Sequence, residues 1–249
     1  PGLASGAWAW QEAVREFSRE RAVYVVTLAG FDGRPPVQGN PIDGARTALR
    51  QLIASRKLDK PILIGHSLGG TLALAVAEDA PGLVGGVVSV DGLPVFPGNE
   101  DTPPLLREQS AMQIRQQVAQ ASPRAFAAQQ QNYMRTIGVL DMSRADALAE
   151  LSARSDPASV AQYIADVMAL DLRPGLSRIG APVLVIAPYF EPDDVQANMS
   201  IDAKAAYYRS LMDGAPKVEV VAIAPSRHFV MIDQPRKLLD AIRRFISQP

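Results

Sequence analysis

The stretch Pro61-Ile62-Leu63-Ile64-Gly65-His66-Ser67-Leu68-Gly69-Gly70 constrains this chain more than any other. Pro61 suits the first position of a strand, and Ile62, Leu63 and Ile64 form the short apolar run of a strand covered on both faces. Gly65-x-Ser67-x-Gly69 then has the spacing of a sharp strand-to-helix turn with an exposed serine at its apex. Side chains at the flanking glycines would meet neighbouring backbone, and the serine itself takes an unusual conformation. The following apolar segment, from Leu68 to about Ala77, reads as a helix whose N-terminus faces the serine. Its free N–H groups and dipole favour negative charge at that point.

The rest of the chain alternates strands and helices around this stretch. A glycine-rich turn over 1–6 leads into a helix over 7–20, with Ala13, Val14 and Phe17 inward. Val23, Tyr24, Val25 and Val26 predict a strand over 21–28, closed by the turn Ala29-Gly30-Phe31-Asp32-Gly33. A proline-rich loop follows, then a helix to about residue 56 capped by Asp43. The next strand is 83–90, with Asp91-Gly92-Leu93-Pro94 at its end. Between 95 and 180 the strand pattern stops, and four helices are expected at 105–120, 123–136, 143–154 and 157–170. That is too long for a loop, so it reads as a helical cap inserted between two parts of one core, 1–94 and 181–249. Met112, Phe126, Tyr133, Met134, Tyr163 and Met168 are its candidate pocket residues, each also an ordinary choice for the core of the cap. Strands resume at 182–187 and 217–224, with a helix at 202–212 between them and another from 235 to 247 at the end. Such alternation predicts an α/β fold with a mostly parallel sheet and helices on both faces, its ligands at the carboxyl ends of the strands.

Gly-His-Ser-Leu-Gly-Gly resembles the nucleophile elbow of the α/β-hydrolase fold. Pro1-Gly2-Leu3 with Trp8 and Trp10, residues 27–33, Val90-Asp91-Gly92-Leu93-Pro94 and Ser226-Arg227-His228-Phe229 agree with that fold in chain order. The resemblance covers nearly the whole chain and points to a superfamily rather than to a substrate. It implies that the turn Pro1-Gly2-Leu3 follows a central strand and that the backbone N–H of Leu3 joins that of Leu68 in an oxyanion hole. It also implies strands ahead of this turn, one of them in the middle of the sheet; these are absent from the sequence, and residues upstream of Pro1 are therefore expected. His228 stands where the family places its general base, after the last strand and in the order serine, acid, histidine.

The chemistry narrows on few residues. A serine hydroxyl needs a base to take its proton, most often histidine. The chain holds two histidines. His66 adjoins Ser67 on a tight turn, where adjacent side chains diverge, so it reads as a packing residue with a hydrogen bond of its own; His228 is the base. The acid is open. Asp91, at a strand end that some relatives use, is placed first and Glu191 second, with Asp193 and Asp194 in the same loop as Glu191. The expected reaction is acyl transfer by a serine hydrolase on a carboxylic ester of small or medium size. Amide, thioester and lactone cleavage use the same parts, and a ligand-sensing protein would keep the fold without the turnover.

Composition closes several other routes. The chain has no cysteine, which removes disulfides, thiolate nucleophiles and cysteine metal sites. Two histidines make a histidine-rich zinc site a poor expectation, and no cofactor is called for. Net charge is −1, without the basic stripe that nucleic-acid binding needs. No apolar run is long enough for a bilayer span. The expected partner is a small-molecule substrate; oligomeric state and compartment are left open.

Overall fold

The computed structural model describes residues 1–247, so the last two residues of the expected core segment 181–249 lie outside it. Four parallel strands make one sheet in the order β1 (Ile62–His66), β2 (Gly86–Val90), β3 (Val183–Pro188), β4 (Val218–Ile223). The register pairs Ile62 with Gly86, Val87 with Val183 and Val183 with Val218. Successive side chains leave opposite faces of a strand, and both faces here are apolar. Val88, Val90, Leu184 and Ile186 enter one core cluster with Phe17, Ile242 and Phe245. Val87, Val183, Val185 and Ala187 enter the other, with Leu74, Tyr208 and Leu211.

Helices cover both faces. On the first lie α1 (Gln11–Phe17), preceded by a 3₁₀ turn over Ala7–Trp10, and the closing helix 235–246. Helix α2 (Pro41–Ser55) packs outside α3 (Leu68–Asp79), which is buried on every side from Leu68 to Glu78. The N-cap of α2 is Asn40 rather than the expected Asp43. Its Oδ1 accepts from the N–H groups of Ile42 (3.0 Å) and Asp43 (3.1 Å), and Pro41, which has no N–H to satisfy, fills the first helical position.

The expected strand over 21–28 does not form. The segment is extended but pairs with nothing, and Val23, Tyr24 and Val25 stay 39%, 46% and 40% exposed. Strand-favouring residues need a neighbour, and none is within reach. β1 is the edge of the sheet, and a groove of about 460 Å³ lies between its outer side and the extended segment, lined by Val23, Tyr24, Val25, Ile62 and Ile64.

Between β2 and β3 the chain leaves the sheet and is helical: α4 (Pro104–Ala119), α5 (Pro123–Tyr133), α6 (Met142–Ser152) and α7 (Pro157–Ala169). These match the four expected helices within a few residues at their ends. The end of α5 differs: it passes into one π-helical turn over Met134–Gly138. Ser122, Asp141 and Asp156 cap three of the four helices through their side chains. After β3 come the short helix α8 (Glu191–Asp194) and the longer α9 (Ile201–Leu211); after β4 come α10 (Val230–Asp233) and α11 (Pro235–Ile246). Among the described residues no helix is long and apolar enough to cross a membrane.

Candidate active site

The four strands run the same way, so the turns that follow β1, β2, β3 and β4 converge on one rim of the sheet. Ser67 ends β1 at φ 52° and ψ −122°, a conformation that a non-glycine residue holds only when its surroundings enforce it. The enforcement is visible. Ser67 N–H donates to Val90 O (2.8 Å), and Ser67 O accepts from Gly70 N–H (2.8 Å) and Thr71 N–H (3.0 Å). A Cβ on Gly65 would sit 2.0 Å from Gly69 O, so the chain turns this tightly only because Gly65 lacks one. Gly2 serves the same end from the other side, since a Cβ there would come within 2.7 Å of His66 Nδ1 and 3.2 Å of Ser67 Cβ. The turn that carries Leu3 therefore lies directly against the serine.

Leu68 is the first residue of α3, and its N–H has no acceptor among the described residues; neither has that of Leu3. The side chains of Leu3 and Leu68 pack in one apolar cluster. Two free N–H groups thus flank the serine, one at a helix N-terminus.

His228 follows β4, and its Nδ1 lies 2.5 Å from Asp91 Oδ2. Asp91 ends β2, also at positive φ (51°). Burial by itself would raise the Asp91 carboxyl, but the charge and hydrogen bond of His228, with a hydrogen bond from Tyr208, outweigh it and hold the pKa below the ordinary carboxylate value. Neither Ser67 Oγ nor His228 Nε2 makes a hydrogen bond among the described residues. The other acid candidates are placed elsewhere. Glu191 opens α8, exposed to solvent. Asp193 takes the guanidinium of Arg227 (2.8 and 3.2 Å). Asp194 accepts from Phe190 N–H and from Lys204. The imidazole meets Asp91.

His66 is fully buried, and its Nε2 donates to His228 O (3.0 Å). The residue read as packing therefore also tethers the histidine loop. Burial, with the proximity of His228, drives its pKa well below the ordinary imidazole range, so it stays neutral. The unfolded chain binds a proton there as pH falls through the ordinary imidazole range, and the folded protein does not. Stability is accordingly expected to fall as pH drops below 6.5, by at most about 1.4 kcal/mol per pH unit from this group. Urea melts between pH 7 and 5 would read this slope, and His66→Gln should flatten it.

Two tyrosines complete the surroundings. Tyr208 of α9 donates to Asp91 Oδ1, the oxygen that does not meet His228. Nothing in the sequence marks this residue, because 117 positions separate the two partners. Tyr208→Phe removes one fixed bond to a buried carboxylate and is expected to lower kcat about 3- to 10-fold without loss of fold. Steady-state kinetics beside a thermal melt would check this. The ring of Tyr133 stands edge-on to His228 at 6.1 Å. Of the other candidates from the helical segment, Phe126, Met134, Tyr163 and Met168 are buried in apolar clusters, and Met112 is exposed. Among the described residues no group of three His, Asp or Glu side chains could hold a metal.

A family profile described as "Alpha/beta hydrolase family" matches residues 1–241, and the chain belongs to that family. One curated relative is named pimeloyl-[acyl-carrier protein] methyl ester esterase, from Shewanella woodyi. It is 31% identical over 115 residues, a stretch that covers 44% of this chain and 43% of that protein. Among solved structures, MenH from S. aureus superposes with a TM-score of 0.78 at 17% identity, covering 99% of this chain and 91% of that one. A thermophilic esterase from Thermogutta terrifontis superposes with a TM-score of 0.77 at 18% identity, covering 98% and 86%. At these identities the superpositions show the shared α/β-hydrolase fold.

Proposed function

We propose that this protein is a serine hydrolase that cleaves carboxylic esters of small or medium size through an acyl-enzyme. The observation that carries the reading is the Asp91–His228 contact of 2.5 Å on the same rim as a serine held at φ 52°. Two relatives are named as esterases, and the family is one of hydrolases.

In this reading Ser67 Oγ attacks the carbonyl carbon, and its proton passes to His228 Nε2. Asp91 accepts from Nδ1–H, fixing the tautomer and stabilising the imidazolium that forms. The N–H groups of Leu68 and Leu3 hold the oxyanion, acting on charge that develops only as the bond forms. The tetrahedral intermediate collapses, and His228 gives its proton to the departing alkoxide oxygen. Water then enters, and its oxygen attacks the acyl carbon as His228 takes its proton; the bond from that carbon to Ser67 Oγ breaks, His228 returns the proton to Oγ, and the acyl group leaves as a carboxylic acid. The helical segment 95–180 acts as a cap, with Tyr133 as the side chain it lends to the site.

A panel of p-nitrophenyl esters from acetyl to decanoyl tests the reading. Turnover that Ser67→Ala removes is the expected result, with short and medium chains preferred. Stoichiometric binding of an ester without turnover would favour the sensor reading instead.

A further inference from the structure

The loop that carries His228 is fastened to the end of the helical segment by more bonds than a loop contact needs. His228 N–H donates to Ile137 O (3.2 Å) and Phe229 N–H to Gly138 O (2.9 Å), both at the π-helical turn. Arg227 Nη1 donates to Arg135 O (2.9 Å) and Val139 O (3.3 Å), while its other nitrogens grip Asp193 and its guanidinium lies over Phe190. Asp233 closes the arrangement. One carboxylate oxygen accepts from Leu140 N–H (3.0 Å) and the other from Arg227 N–H (2.9 Å). A single side chain thus bridges the residue next to His228 and the strand of chain on which His228 rests. The mechanism uses neither Arg227 nor Asp233, yet Asp233 is half-buried, and burial raises its pKa. A π-helical turn is rare and is found frequently at functional sites; this one closes the end of α5.

We propose that Asp233 is a positioning residue for His228, setting the imidazole by clamping residues 137–140 to residues 227–229, so that the cap helps to place the general base. The inference rests on the acyl-transfer reading above. Asparagine tests it well. Whichever way the amide lies, its NH₂ faces one of the two N–H groups, and that bond is lost. The cost should fall on chemistry rather than on substrate binding, because a displacement of about 1 Å in a reacting group lowers the rate by about 10²-fold.

The experiment compares wild type, Ser67→Ala, Asp233→Asn and Arg227→Lys. Two readouts are taken: ester kinetics, and the downfield Nδ1–H proton signal of His228, the other histidine carrying its proton on Nε2. The expected result for Asp233→Asn is a 10- to 100-fold lower kcat, a KM close to that of wild type, and a broadened or absent His228 Nδ1–H signal. Arg227→Lys keeps the charge but not the fork, and should show the same signature more weakly; it carries the test if Asp233→Asn does not fold. A folded variant with wild-type kcat and an unchanged Nδ1–H signal would overturn the inference, whatever its melting temperature. If wild type itself lacks Ser67-dependent turnover, the acyl-transfer reading fails instead, and the proton signal still reports whether Asp233 holds the ring.

Discussion

Asp91→Asn is expected to lower kcat/KM for a simple ester by about 10³- to 10⁴-fold, and Glu191→Gln to leave it unchanged. The contrast follows from placement. Asp91 accepts at one oxygen from His228 Nδ1 and at the other from Tyr208, so both lone-pair edges are committed. An amide at that position can turn its NH₂ toward the imidazole, which then carries its proton on the nitrogen that should face the serine. The base is present but in the wrong tautomer. Glu191 has no part in this, since it lies exposed at the start of a four-residue helix. Kinetics on the two variants, with circular dichroism to confirm folding, would check the assignment. A large loss in Glu191→Gln with none in Asp91→Asn would reverse it.

Ser67→Ala is expected to lower kcat by about 10⁴-fold or more, with a small residue of rate from the N–H groups and from binding alone. The same change should leave the fold intact or slightly stabilised. Ser67 sits at positive φ, and its hydroxyl holds no hydrogen bond among the described residues. Alanine therefore loses no native contact. A melt that rises or holds while turnover disappears would separate a reactive role from a structural one.

The sequence revealed most where the signal was local. The elbow could be read because strand, glycine pinch and apolar helix are contiguous between Pro61 and Ala77, and steric closeness at Gly65 leaves no alternative residue. The four helices between 104 and 169 were legible from periodicity and from the prolines that open three of them. Asp91 and Glu191 could not be ranked by spacing alone, because the path of the loop after β3 decides which carboxylate reaches the imidazole. Here that loop spends Asp193 on Arg227 and Asp194 on Lys204. Tyr208 and Asp233 were invisible for the same reason: their partners are distant in sequence. The segment 21–28 shows the opposite failure. Its residues favour a strand, but a ladder needs two edges in contact, and the groove beside β1 keeps them apart. His66 lay between the two cases. Its burial was expected from its position, while its bond to the His228 carbonyl depended on a loop 162 residues away.

The central claim is that Ser67 is a nucleophile activated by His228. Labelling with a fluorophosphonate probe tests it most directly, because the probe phosphonylates a serine only where a base has raised its reactivity. Stoichiometric labelling of the wild-type protein at Ser67 is expected, with none in Ser67→Ala and a rate lowered by orders of magnitude in His228→Ala. A folded wild-type protein that stays unlabelled, or labelling that survives Ser67→Ala, would contradict it.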